Sequence, residues 1–208
     1  MSESKEMGTF LVYEGLDGST KSTQSEMMVR YLISKGIRTL YTQEHTRDGV
    51  AGVMIETIVN GRATLDPIAL QLLFVADRVD HTQRVIVPAL ERREAVVCDR
   101  YWWSTIAYGG IEGRADYFEA MQLPLIRKPD FQVLLDVDPR LALDRLHKRG
   151  DERTIFEKVQ KLQKVRQEYL RLAGNDKEKC VVVDASKSKE EIFDEVVYEL
   201  IRRRIIKD

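Results

Sequence analysis

The chain of 208 residues is short of several things, and each shortage removes a class of protein. There are only two cysteines, Cys98 and Cys180, without metal-ligand spacing. Each lies against a β-branched run, so both read as buried strand residues, not as a disulfide or a zinc site. There is no excess of charge of either sign: 33 basic and 34 acidic residues leave a formal net charge of −1. A general nucleic-acid binder carries a basic excess, so nucleic acid is not an expected partner. No apolar run approaches the length of a membrane span. Residues 1–8 are polar and lack the apolar centre of a signal peptide, so they read as a flexible start to a cytoplasmic protein. Repeats, low-complexity tracts and linkers are also missing. What remains is 43% hydrophobic and 32% charged, enough to bury a two-sided sheet in a single domain spanning 1–208.

Short β-branched runs alternate with longer helical patterns. Strands are expected at Thr9–Glu14, Thr39–Thr42, Ala95–Asp99, Phe131–Asp136 and Cys180–Asp184. Most are continuously apolar, as strands covered on both faces are. Helices are expected at Lys21–Lys35, Val50–Asn60, Pro67–Arg93, Trp103–Tyr108, Tyr117–Leu123, Pro139–Lys148, Thr154–Leu172 and Lys189–Ile206. Gly36 stops the first, while Asp66-Pro67 and Asp138-Pro139 open two others. Gly109–Gly113 reads as a loop and Arg149–Arg153 as a charged break. The fold class is therefore α/β, a five-stranded parallel sheet with helices on both faces, and ligands are expected at the carboxyl ends of its strands.

The first strand runs into Gly15-Leu16-Asp17-Gly18-Ser19-Thr20-Lys21-Ser22-Thr23. This fits the phosphate-binding pattern G-x-x-x-x-G-K-[S/T], except that Thr20 stands where the second glycine belongs. Backbone N–H groups of such a loop wrap nucleotide phosphates, Lys21 adds charge, and the Ser22 hydroxyl can ligate Mg2+. ATP binding is thus assigned to Gly15, Asp17, Gly18, Ser19, Thr20, Lys21, Ser22 and Thr23. The other strands end in Gln43-Glu44-His45-Thr46-Arg47, Asp99-Arg100-Tyr101, Asp136 with Asp138, and Asp184-Ala185-Ser186. Phosphoryl transfer needs cations around the transferred group. Arg100 can supply one, and Asp99 can hold Mg2+ through water.

Several motifs now stand in a specific order: Glu14-Gly15-Leu16-Asp17-Gly18 with Lys21-Ser22-Thr23-Gln24, Leu73-Phe74-Val75-Ala76-Asp77-Arg78, Asp99-Arg100-Tyr101 with Ser104 and Tyr108, Pro129-Asp130, Leu135-Asp136-Val137-Asp138-Pro139, Arg149 to Arg153, and Phe156-Glu157. In order and spacing the chain resembles the thymidylate kinases nearly end to end. That family of P-loop nucleoside monophosphate kinases phosphorylates dTMP to dTDP with ATP and Mg2+. The resemblance implies that Phe74 stacks on thymine and Arg78 hydrogen-bonds the base. Spacing alone is equally met by a core Phe and a solvated Arg. It further implies that Arg100 clamps the dTMP phosphate, Asp17 binds the sugar 3′-hydroxyl, Tyr108 crowds the 2′ position, and Ser104 lies in the substrate site. Glu44 and Arg47 join that site. Arg145 packs against adenine and Ala185 belongs to the ATP site. Arg149 and Arg153, with Lys21 and Arg100, complete the catalytic set, in a lid at about 149–154. Asp17-Gly18-Ser19 carries no basic residue in the phosphate loop, so the missing charge is expected from the lid. The family also implies a two-fold homodimer through the Pro67–Arg93 region, where Leu70, Leu73, Phe74, Val85, Ile86 and Leu90 are apolar; packing within one chain explains the same pattern.

Two departures keep alternatives open. Thr20 could weaken ATP binding or be tolerated. Many members carry an Arg beside the Glu after the second strand, whereas Glu44 is flanked by Gln43 and His45; Arg47 could grip the phosphate instead. A deoxynucleoside kinase with Glu44 as base, and a nucleotide-binding homologue impaired at Thr20, stand beside the dTMP kinase reading.

Overall fold

The computed structural model describes residues 7–147 and 155–206. Five strands, β1 (Phe10–Gly15), β2 (Thr39–Gln43), β3 (Ala95–Asp99), β4 (Phe131–Asp136) and β5 (Cys180–Asp184), pair in parallel in the order β2-β3-β1-β4-β5. Every residue of β1 and β3 is buried, which is why these strands are unbroken apolar runs in the sequence. Both cysteines are buried free thiols. Helix α1 (Lys21–Ser34) lies against β1, β2 and β3 and meets α9 (Lys189–Arg202). On the opposite face α5 (Trp102–Gly110) and α8 (Ile155–Asn175) pack together over β1. The chain moves from β1 outward to β2, returns to β3, then crosses to β4. That reversal opens a crevice at the carboxyl ends of β1 and β3.

The stretch expected as one helix over Pro67–Arg93 is interrupted. It comprises α3 (Pro67–His81), a π-helical turn over Thr82–Ile86 and the short α4 (Val87–Glu91). Pro88 has no N–H to offer, and the Val87 N–H reaches back to Thr82 O, five residues away. Ile86 and Leu90 are fully buried, so part of that apolar pattern fills the core of the single chain. The loop expected at Gly109–Gly113 is also corrected, because Gly109 and Gly110 finish α5. A Cβ on Gly109 would stand 2.3 Å from the Phe118 ring, so this glycine permits α5 to touch α6 (Ala115–Gln122). The turn itself is made at Gly113, where φ is +68°. Helix α9 ends at Arg202, short of Ile206, since Arg204 takes a left-handed conformation. The remaining helices are α2 (Val50–Val59) and α7 (Pro139–His147). Arg149, Arg153 and the lid assigned to about 149–154 lie outside the described residues.

Among the described residues no helix is long and apolar enough to cross a membrane.

Candidate active site

The phosphate loop joins β1 to α1 through backbone that glycine favours. Gly15 has φ +144° and Gly18 has φ +85°; a Cβ on Gly18 would stand 2.3 Å from Ala142 O. Helix α1 begins without a side-chain cap, leaving first-turn N–H groups for an anion. Lys21 lies under the loop with its Nζ 2.7 Å from Leu16 O. Burial lowers its pKa to about 8, helped by the nearby Arg100 charge and opposed by Asp17, Asp99 and Glu14.

Thr20 adopts φ +68° and ψ +21°, the left-handed region that a β-branched side chain avoids. Its Oγ1 is buried without a hydrogen-bond partner. The missing glycine is therefore felt as backbone strain and as an orphaned hydroxyl. Thr20→Gly relieves both, and the strain at such a position is on the order of 1–3 kcal/mol. After the extra chain entropy of glycine, a net gain of about 1 kcal/mol should raise Tm by about 2–4 °C. ATP binding should tighten a few-fold, because the loop no longer holds that strain against its phosphate-bound shape. Calorimetry and an ATP titration check this; an unchanged or lower Tm with unchanged ATP affinity would show Thr20 to be accommodated.

The crevice beside the loop, about 520 Å³, is lined by Asp17, Gly18, Thr20, Lys21, Ser22 and Thr23, and by Gln43, Glu44, Arg47, Asp99, Arg100 and Arg145. Four separate elements thus bring most of the expected residues to one wall. Ser22 Oγ donates to Asp99 Oδ2 at 2.5 Å. Asp99 Oδ1 is buried and has no hydrogen-bond partner among the described residues. A hydroxyl beside a carboxylate oxygen with unused capacity is an oxygen donor set that fits Mg2+. Arg145 Nη1 donates to Gly18 O at 3.2 Å, at the outer edge of the loop. Exposed Arg47 faces the same space. Ala185 is fully buried, with its N–H bonded to Asp136 O, and is not among the crevice-lining residues.

Arg100 occupies the centre. Its φ is +67°, a strained value for a residue with a Cβ, and several contacts hold it there. Nη2 donates to Asp17 Oδ1 at 2.6 Å, and Nη1 donates to Ser104 Oγ at 3.0 Å and Tyr169 Oη at 3.2 Å. The Arg100 guanidinium holds the Asp17 carboxyl well below the usual carboxylate range. The Tyr108 hydroxyl donates to Asp17 Oδ2 at 3.3 Å, and Arg100 lies over the Tyr108 ring. Beneath them Glu14, fully buried, accepts from Ser104 Oγ at 2.7 Å, Tyr101 N at 3.0 Å and Tyr169 Oη at 3.3 Å. Burial pushes the Glu14 carboxyl upward, against the pull of Ser104 and Arg100. Glu14 and Tyr169 were not singled out as site residues from the sequence. An acidic residue closing an apolar strand was the visible signal for Glu14. Tyr169, 155 positions away on α8, offers none.

A second cluster adjoins the first. Arg78 is 1% exposed, and its Nε donates to Glu44 Oε2 at 2.7 Å. Its Nη1 donates to Thr105 Oγ1 at 2.9 Å and to Gln122 Oε1. None of these three bonds uses Nη2. Half-buried Phe74, one turn earlier on α3, packs against the His45 ring in a T-shaped pair, with centroids 5.8 Å apart. His45 Nε2 pairs with Glu56 at 2.8 Å. Phe74, Arg78, Ser104 and Tyr108 lie outside the crevice lining; Arg78, Ser104 and Tyr108 connect to it through Glu44, Arg100 and Asp17, and Phe74 touches His45.

The family model described as thymidylate kinase matches residues 13–196. A protein from Methanosarcina barkeri named as a probable thymidylate kinase is 36% identical over 200 residues, covering 93% of this chain and 96% of that relative. A thymidylate kinase from Cutibacterium acnes is 38% identical over 210 residues, covering 95% and 96%. Among solved structures, thymidylate kinase from Candida albicans superposes with a TM-score of 0.78 at 24% identity, covering 97% of this chain and 96% of that one. The last likeness speaks for the fold.

Proposed function

The chain belongs to the thymidylate kinase family, and from that premise we propose that it transfers the γ-phosphoryl group of ATP to dTMP, giving ADP and dTDP. The observation that carries the reading is Arg100. A guanidinium held by Asp17, Ser104 and Tyr169 stands in the same crevice as the phosphate loop. An acceptor that is already anionic at neutral pH needs such a cation more than it needs a base.

In this reading the loop N–H groups and Lys21 hold the donor phosphates. Ser22 and Asp99 would hold Mg2+, which would supply positive charge against the charge that develops on the phosphoryl oxygens. Arg100, with Arg47 opposite, holds the acceptor phosphate in line with the γ-phosphoryl group. Asp17, ionised beside Arg100, is suited to accept a bond from a sugar hydroxyl. Tyr108 bounds the sugar, Phe74 offers a ring face to the base, and Arg145 flanks the donor adenine. Ser104 braces Arg100, and Ala185 backs the adenine side at the end of β5. Arg149 and Arg153 would close over the transferring group; that role rests on the family resemblance. Exposed Val50, Val53, Met54 and Val59 on α2 and Leu72 on α3 support a homodimer. A cytoplasmic location is part of the same reading.

The nucleoside-kinase alternative loses its base. Both Glu44 oxygens are engaged, one by Arg78 and one by His81, whereas a neutral hydroxyl acceptor needs a carboxylate free to take its proton. A coupled ADP-release assay with dTMP, thymidine or buffer tests the choice. The reading expects dTMP-dependent ADP release. Faster turnover of thymidine would replace it with the nucleoside kinase, and release independent of either acceptor would leave only ATP hydrolysis.

The Lys21 pKa of about 8 sets a pH dependence. Its charged form is lost as pH rises through that value in the free enzyme, well below the ordinary lysine range. Because kcat/KM reports groups of the free enzyme, kcat/KM for ATP should decline above pH 8. Lys21→Arg, which cannot deprotonate there, should flatten that limb even if it lowers the plateau. A wild-type profile level up to about pH 10 would contradict the burial argument.

A further inference from the structure

The buried charge at Arg78 is backed by a chain that reaches an edge strand. Glu44 Oε2 accepts from Arg78 Nε at 2.7 Å, Glu44 Oε1 stands 3.1 Å from His81 Nδ1, and His81 Nε2 stands 2.7 Å from Thr42 Oγ1. The side chains of Arg78, Glu44 and His81 are 1–2% exposed. An ionised carboxylate only accepts hydrogen bonds, so Nδ1 carries the imidazole proton. Nε2 is then left to pair with the Thr42 hydroxyl. Both Glu44 oxygens and both His81 ring nitrogens are thereby partnered, as buried polar groups beside a buried guanidinium require. On the other side Arg78 is fixed by Thr105 and Gln122, and it lies over the Tyr101 ring, 5.4 Å from the centroid.

We propose that His81 is a positioning residue for base recognition: through Glu44 it fixes the guanidinium of Arg78, so that Nη2, unused by Glu44, Thr105 and Gln122, is aimed at a carbonyl acceptor on the pyrimidine. The inference rests on the dTMP kinase reading and deepens it. Glu44 has two oxygens, and each bond limits where the other can turn. Without the Nδ1–H donor, one buried carboxylate oxygen loses its partner and rotates toward the cation, carrying Arg78 with it. The device discriminates bases by chemistry. A fixed donor favours the 4-carbonyl of thymine and opposes the 4-amino group of cytosine, which presents hydrogens in the same place.

The test uses the full chain and measures kcat and KM for dTMP and dCMP, with KM for ATP and Tm. His81→Leu removes both ring nitrogens. His81→Gln places its amide near Nε2 and omits the Nδ1 donor. His81→Asn places an amide N–H near Nδ1. Leu and Gln should raise KM for dTMP by about fivefold or more and shrink the preference for dTMP over dCMP, with kcat and the KM for ATP within about twofold. Asn should recover most of the dTMP KM and of the preference. A folded Leu or Gln variant with unchanged dTMP KM and unchanged preference, whatever its Tm, overturns the proposal. An Asn variant as impaired as the Gln variant also overturns it, because the Nδ1 donor would then not be the cause. Should the Leu variant fail to fold, Gln against Asn decides. The wild-type arm keeps the two readings apart: wild type inert toward dTMP defeats the functional reading and this inference together, whereas active wild type with indifferent variants defeats only the role of His81.

Discussion

Lys21→Ala should lower turnover with dTMP by about two or more decades, while leaving the fold intact. Lys21 is the cation seated beneath the phosphate loop, with Nζ bonded to Leu16 O in the ligand-free chain. In a buried site its charge is costly to maintain, as the fall of its pKa to about 8 shows. Donor phosphates repay that cost, and the repayment grows as charge accumulates on the transferring oxygens. Removing the ammonium therefore acts on kcat more than on Tm. Stability should rise slightly or stay level, because a buried charge with imperfect pairing is lost. Steady-state kinetics with denaturation curves on the same samples check both halves. A variant retaining more than about a tenth of wild-type turnover would remove Lys21 from the donor site.

Arg100→Ala should reduce kcat/KM for dTMP by about two decades or more, with ATP binding within a few-fold of wild type. Two consequences combine. The acceptor phosphate loses its guanidinium, and Asp17 loses the partner that orients its carboxylate. The αL backbone at this position tolerates alanine poorly, as it does arginine, so the backbone strain is carried over and cannot explain the loss. Arg100→Lys should recover only part of the activity, since a point charge cannot reach Asp17, Ser104 and a phosphate together. Equal losses in ATP and dTMP binding would show Arg100 to be a general brace of the crevice instead of an acceptor clamp.

What could be read in advance follows from how local each signal is. The bounds of β3, β4 and β5 coincide with the apolar runs; β3 is buried along its length and β4 up to Asp136, whereas the edge strand β5 exposes Val182 and Asp184 yet keeps its β-branched run. The phosphate loop was legible because its chemistry lies in nine consecutive residues. The π turn over Thr82–Ile86 was not, since the apolar period runs through it and only Pro88 hints at a break. Gly109 looked like a turn residue but serves a close contact with Phe118, and composition cannot separate those two uses. The supports of the site were the least legible part. Glu14 with Tyr169, and His81 with Glu44 and Arg78, meet only after the sheet is assembled. Arg78 illustrates the point: its partners Glu44, Thr105 and Gln122 come from three other segments of the chain. Thr20 was visible as a departure, and its left-handed backbone turns that departure into a measurable strain.

The central claim is that one crevice joins a phosphate-donor half at Lys21 and Asp99 to a phosphate-acceptor half at Arg100. Phosphorus NMR of the protein with ATP, dTMP and Mg2+ tests it most directly, because it identifies the bond that forms. The account predicts that the resonances of dTDP grow in step with those of ADP, at the expense of dTMP and ATP, without inorganic phosphate. ADP accompanied by inorganic phosphate and unchanged dTMP would contradict it.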